Sequence, residues 1–225
     1  MPVLTRSRRR RGIRYAVPAL LLLAGVAWVL FFSPVLGARS VSVTGTLELT
    51  AEEVRAAAAV PLGRPLLRLD TGAVESRVAQ LSWVERVDVE RSVTGTVHVR
   101  VTERVAVLAV PAPDGIHLLD ATATDFATEP VPPPGVPELR GSQVTGSAAS
   151  AAVQVFTGLP APLRGQVVAV RTESAADVRL RLVDGREVHW GAADQGERKA
   201  VVLELLLSQP GDVYDVTTPD LPTIS

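Results

Sequence analysis

Three histidines, His98, His117 and His189, are the side chains best suited to proton or metal chemistry in this 225-residue chain. His98 and His189 fall on the polar faces of alternating segments, and His117 lies beside Asp120. None has a second ligand at metal spacing, so each reads as a solvated or hydrogen-bonded imidazole. The chain has no cysteine, which removes disulfides, thiolate zinc sites, iron–sulfur clusters and thiol nucleophiles together. Serine and aspartate are plentiful, but no Gly-x-Ser-x-Gly elbow exposes a nucleophile. Gly135 and the Asp-Gly pairs are turn residues and form no phosphate-cradling loop. Glu52, Glu53, Glu85 and Glu90 read as helix and strand surface charges. These residues predict no enzyme, no cofactor and no metal.

The elements that carry these side chains must be built without many large rings. Hydrophobic residues make up 47% of the chain and aromatics only 4%, so any core comes from Val, Leu and Ala. A mean hydropathy of +0.24 is high for an ordinary soluble protein, and the excess is concentrated near one end. The first 36 residues hold six arginines and no acid, leaving 17 basic and 24 acidic side chains for residues 37–225. A basic end on an acidic body argues for membrane topology and against nucleic acid as a partner.

Arg6, Arg8, Arg9, Arg10, Arg11 and Arg14 precede 24 uncharged residues, Tyr15 to Ala38. About 20 helical residues cover the roughly 30 Å hydrocarbon core, so a transmembrane helix over 15–36 is expected. Pro18 falls in its first turn, and Tyr15, Trp28, Phe31 and Phe32 suit the interfaces. The arginine cluster makes residues 1–14 a cytoplasmic tail and puts the chain after about residue 37 outside. The competing reading is a cleavable signal peptide cut after Val35-Leu-Gly37. It would give a secreted envelope binding protein or hydrolase, but secretory apolar regions are usually shorter, about 7–15 residues. The membrane anchor is the reading adopted.

Residues 38–106 read as one α+β unit. Val41-Ser-Val-Thr-Gly45 alternates like a half-buried strand, and Thr50-Ala-Glu-Glu53 is a capping box opening a helix to about Ala59. A second helix is expected over Thr71–Leu81, with Val74, Val78 and Leu81 on one face. Val84–Glu90 and Thr96–Thr102 alternate again around a turn at Val93-Thr-Gly95, which puts Val87, Val89, Val97, Val99 and Val101 on one buried face.

Residues 107–218 read as a mixed β-domain with flanking helices, and 219–225 as a flexible tail. Strands are expected over Val105–Val110, Ile116–Leu119, Gln166–Arg171 and Val178–Val183, with a helix over Ser147–Thr157. Residues 130–137 hold five prolines and a glycine and predict no regular structure. A three-residue loop, Val183-Asp184-Gly185, pairs Arg181 with Glu187, Leu180 with Val188 and Val178 with Trp190. Asp194 is expected to cap a helix whose stripe is Val201, Val202, Leu205 and Leu206. Val213–Val216 then makes a last strand at a sheet edge before Pro219 and Pro222.

This order resembles the bacterial division family FtsQ/DivIB, in its actinobacterial type. The resemblance rests on Val43-Thr-Gly45, the capped Thr50–Val60 helix, Gly63-Arg-Pro-Leu66 with Asp70, Trp83-Val84, Val87-Asp-Val89 and Val101-Thr-Glu-Arg104 for a POTRA domain. Pro137-Glu-Leu-Arg-Gly141, the hairpin with Gly191, Lys199 and Tyr214-Asp-Val216 carry it through the β-domain. One departure is Val93-Thr-Gly95, where the family often has Trp-Pro. The resemblance implies a single-pass, non-enzymatic divisome scaffold in the cell membrane at the division septum. It implies FtsB/DivIC-like and FtsL-like partners, and through them recruitment and regulation of septal peptidoglycan synthase. It places the partner strand on Val213, Tyr214, Asp215, Val216 and Thr217, where Tyr214 is either an interface anchor or a residue packed on the sheet. A POTRA-bearing transport component would need repeats or a barrel, and no second copy is visible.

Overall fold

Alternating valines close the first unit. In the computed structural model, which describes residues 18, 20–25, 28, 37–92, 94–141 and 144–225, β2 (Val84–Arg91) and β3 (Thr96–Glu103) form an antiparallel hairpin. Val87 faces Val101 and Val89 faces Val99, as the alternation predicts. β1 (Ser40–Thr44) pairs in parallel with β3, giving the sheet order β1-β3-β2. Two helices cover the apolar face, α1 (Ala51–Ala58) and α2 (Thr71–Val78). The capping box at α1 is formed on both sides: Glu53 N donates to Thr50 Oγ1 at 3.2 Å, and Thr50 N donates to the Glu53 carboxylate at 2.8 Å. Val54, Ala58, Val74, Val78, Val97, Val99 and Val101 are buried together. Each such valine contributes about 1.5 kcal/mol of burial.

Close backbone approach explains two of the glycines. A Cβ on Gly45 would lie 2.0 Å from the Val101 carbonyl oxygen, and one on Gly141 would lie 1.9 Å from that of Thr172. Both have positive φ, so a side chain there is excluded twice over.

The chain divides into two compact units at Glu103/Arg104. The second is a nine-stranded sheet. β4 (Leu108–Ala112), β5 (Gly115–Leu119) and β6 (Asp125–Glu129) form an antiparallel meander at one border. β7 (Glu138–Arg140) joins β4 and β8 (Val167–Ser174) in parallel, and β9 (Asp177–Leu182) and β10 (Glu187–Gly191) continue antiparallel. β11 (Val213–Asp215) lies parallel to β10, and β12 (Thr223–Ile224) closes the other border antiparallel to β11. One face of β7–β11 buries Leu139, Val170, Leu180, Val188, Trp190 and Tyr214. α3 (Gly146–Gly158) packs on β8 and β9, and its alanines let it approach closely. A short α4 (Ala161–Arg164) precedes β8, and α5 (Gly196–Leu206) crosses over between β10 and β11.

Several expectations are corrected. β4 starts at Leu108, not Val105, because residues 104–107 are irregular, and β6 was not foreseen. Gly191, not Trp190, faces Val178, because a bulge between His189 and Gly191 shifts the register. Asp194 does not cap α5; Gln195 occupies that position with φ 51°, and Asp194 accepts from the Lys199 ammonium at 3.1 Å. The buried stripe of α5 is Lys199, Ala200 and Leu203, while Val201 and Leu205 are exposed. The tail is not loose: Thr223 and Ile224 pair with Asp215 and Tyr214. Most of the expected span 15–36, and all of Arg6–Arg14, lie outside the described residues. Residues 20–25 are helical, with Leu20, Leu21, Leu22 and Leu23 exposed. Among the described residues no helix is long and apolar enough to cross a membrane.

Candidate partner-binding border and open face

β11 is an interior strand. Tyr214, and Val216 just past the strand, are buried without exposure, Val213 and Asp215 are half-buried on the open face, and Thr217 beyond them is exposed. The expected edge is therefore occupied. β10 holds one side through Val188↔Tyr214 and His189↔Asp215, and β12 holds the other. Val216 N donates inward to the His189 carbonyl at 3.0 Å. The Tyr214 hydroxyl lies 2.7 Å from the Gln209 carbonyl and 3.0 Å from that of Gly211, pinning the loop after α5. Arg186 donates to the same hydroxyl at 3.3 Å and to the Leu207 carbonyl at 3.0 Å, with its guanidinium over the Tyr214 ring. Tyr214 is a core residue with a satisfied polar end.

Lys199 sets the other approach to β11. Its ammonium is buried and donates to the Ala192 carbonyl at 2.9 Å, besides Asp194. That fixes the turn between β10 and α5.

The opposite side of the sheet carries a charged row that the sequence did not disclose. The pairings put Arg140, Arg171, Arg179, His189, Asp215 and Thr223 opposite one another across six successive strands, β7 to β12. Three arginines facing one another across strands repel. Each is instead paired along its own strand: Arg140 with Glu138, Arg171 with Glu173 at 2.9 Å, and Arg179 with Asp177 at 3.0 Å. The Asp177 hydrogen bond is the main reason the Arg179 guanidinium is held above its ordinary pKa. A cleft of about 540 Å³ lies among Arg140, Arg171, Arg179, Arg181, Glu173 and Glu187. Alternation of Arg171 with Glu173, and of Arg179 with Arg181, was visible in sequence; which arginines are neighbours depended on register.

The histidines do not assemble a reactive site. His98 is exposed opposite Glu90, His189 lies 3.3 Å from Glu187, and His117 is bracketed by Asp114 and Asp125. Among the described residues no group of three His, Asp or Glu side chains is arranged to hold a metal ion.

Comparison with known proteins follows the same two-unit division. Residues 36–104 match the family model for a POTRA domain of FtsQ type, and residues 109–221 match that for the C-terminal part of cell division protein FtsQ/DivIB. The chain belongs to the FtsQ/DivIB family. It is 41% identical over 219 residues to the cell division protein FtsQ of Mycolicibacterium smegmatis, covering 95% of this chain and 66% of that relative. For FtsQ of Mycobacterium tuberculosis H37Rv the identity is 37%, covering 95% and 69%. For FtsQ of Streptomyces collinus it is 39% over 236 residues, covering 97% and 89%. The chain thus spans about two thirds of the length of the mycobacterial FtsQ proteins it matches. The FtsQ/DivIB C-terminal match ends at residue 221, just short of β12.

Proposed function

We propose that this chain is a single-pass scaffold of the division machinery that holds partner proteins and catalyses nothing. Residues 15–36 anchor it in the cell membrane. Arg6, Arg8, Arg9, Arg10, Arg11 and Arg14 keep the N-terminus cytoplasmic, and the two folded units lie outside at the septum. The exposed helical leucines at 20–23 support the anchor. The partner is an FtsB/DivIC-like protein, itself paired with an FtsL-like protein, and together they recruit and regulate septal peptidoglycan synthase.

The observation that carries this reading is the border strand β12, on the same sheet whose open face carries arginines on β7, β8 and β9. A partner strand adds outside Thr223–Ile224, one strand further out than Val213–Thr217, and main-chain hydrogen bonds supply affinity. A further acidic segment of the partner, crossing the open face, lies over Arg140 and Arg171, which keep about two thirds of their side chains exposed.

Co-purification of the full chain with its FtsB-like partner tests this. Removing residues 222–225, or the double change Arg140→Glu with Arg171→Glu, should each lose the partner while the cooperative melt persists. Full partner yield in both variants would move the interface to the first unit. A mature N-terminus at Ala38, read by N-terminal sequencing, would replace the anchor with a signal peptide.

A further inference from the structure

Five arginines gather at one end of the first domain. The segment leaving position 37 is stitched to the loop between α1 and α2: Gly37 bridges Pro65, Ala38 N donates to the Arg64 carbonyl at 2.9 Å, and Gly63 N donates to the Ala38 carbonyl at 2.7 Å. Arg39 joins the same end through its amide, 2.7 Å from the Gly95 carbonyl, and Arg91 reaches the Leu66 carbonyl at 3.4 Å. A cavity of about 560 Å³ opens there, bounded by Ala38, Arg64, Arg68, Asp70 and Arg77. Arg77 spends Nε and Nη2 on the Ala58 carbonyl, at 3.2 and 2.7 Å, which leaves Nη1 for a ligand. Asp70, the acid of the lining, is turned to its own helix and accepts from Ala73 N at 3.0 Å.

Two leucines beside these arginines lie outside the valine core. Leu62 is 60% exposed and Leu67 is 50% exposed. Basic and large apolar side chains alternating on one exposed loop suit a lipid–water boundary. Ala38 is both a wall of the cavity and the last residue of the uncharged stretch. It stands two residues beyond the span 15–36, at most about 7 Å of chain. This placement rests on the anchor proposed above.

We propose that this cavity binds the phosphate of an anionic phospholipid headgroup, seating the first domain on the membrane surface through Arg64, Arg68 and Arg77. Guanidinium forks suit phosphate oxygens, and Leu62 and Leu67 rest at the headgroup boundary. A free phosphate would make no use of the leucines. An acidic peptide would have to enter the few ångströms between the domain and the bilayer. Headgroup binding gives the domain a second attachment besides the span and fixes its tilt.

The absence of cysteine allows a single environment-sensitive label at either of two positions, Leu67→Cys or Trp28→Cys. The full chain is placed in nanodiscs of phosphatidylcholine alone or mixed with phosphatidylglycerol. The label at 67 should shift to the blue only with phosphatidylglycerol. The shift should fall with added salt and disappear in Arg64→Glu/Arg68→Glu, whose melt should match that of the parent. Inorganic phosphate added to the phosphatidylcholine discs should leave the label unchanged; a shift there would overturn the lipid in favour of a soluble anion. Equal emission in both lipids, or a shift that survives charge reversal, overturns the headgroup site. The label at 28 reports the anchor separately and should read an apolar setting in both discs. If it reads water while the label at 67 still responds to phosphatidylglycerol, the anchor fails and the headgroup site stands as a peripheral contact.

Discussion

The amide of Val216, one residue past β11, donates to the carbonyl of His189 at 3.0 Å, so this donor is spent inside the sheet and is not free for an added strand. Proline at 216 removes that donor at a buried position just past β11. Val216→Pro leaves the His189 carbonyl without its donor and should therefore destabilise the second unit by about 1–3 kcal/mol. The midpoint of denaturant unfolding checks this, with partner capture lost only as a consequence.

Tyr214 is tested in the same way. Tyr214→Phe leaves the Gln209 and Gly211 carbonyls without their donor and should cost about 1–2 kcal/mol. Tyr214→Ala opens a core cavity and should cost about 3–5 kcal/mol. A partner affinity that falls in Tyr214→Phe at unchanged stability would return this ring to the interface. Truncation after Gly211 removes both Tyr214 and Val216 and should give an unfolded second unit, visible as lost near-ultraviolet dichroism.

Glu103 closes the first unit from the end of β3. Its buried carboxylate accepts from Glu48 N and Leu49 N, each at 2.9 Å, and so orders the approach to α1. Glu103→Ala orphans two donors and should cost about 2 kcal/mol, with Glu103→Gln milder because it keeps one acceptor. Thermal melts of the three proteins give the order.

Two groups in the meander set opposite pH limits. Burial pushes the Asp120 carboxyl up, but the Thr122 hydroxyl, the Thr124 and Thr122 amides and Arg104 outweigh it and hold it below the usual range. Its stabilisation is present above the unfolded carboxylate value and is lost as pH falls through the folded value. Asp120→Ala should cost about 3 kcal/mol at neutral pH and less in acid. His117 is raised by hydrogen bonds to Asp114 and then Asp125. Carboxylates stand 3.1 Å from Nε2 and 2.6 Å from Nδ1, and only the charged imidazolium can donate to both, which is why they favour it. Its contribution is full below the unfolded histidine value and is lost as pH rises through the folded one. The melting difference between the parent and His117→Gln should shrink from acid to alkaline pH.

Residues 130–137 carry neither helix nor strand, whereas the chain end is paired to β11. Limited proteolysis should cut first within 130–137, and mass spectrometry of the fragments should show residues 219–225 retained. Early loss of the end would mean that β12 frays.

Local chemistry made much of the fold legible from the sequence. Thr50 and Glu53 lie three residues apart and can satisfy only each other's helix-end groups, so α1 begins where the sequence says. Period-two valines leave one register for β2 and β3, because a slip of one residue would expose all of them. The loop Val183–Gly185 likewise pairs Leu180 with Val188 before any sheet is known. The six early arginines and the uncharged stretch after them are also properties of sequence alone. What only the tertiary structure decided depends on groups distant in the chain. Thr223–Ile224 is too short to show a pattern, yet it pairs because β11 offers free backbone groups beside it. Nothing local marks Lys199 as buried; Ala192 and Asp194 take its ammonium in the folded unit, and the buried stripe of α5 runs through Lys199, Ala200 and Leu203 in place of Val201 and Leu205. Arg140 and Arg171 become neighbours only through the parallel β7–β8 pairing, since a cross-strand row is fixed by register between segments and not by spacing within one.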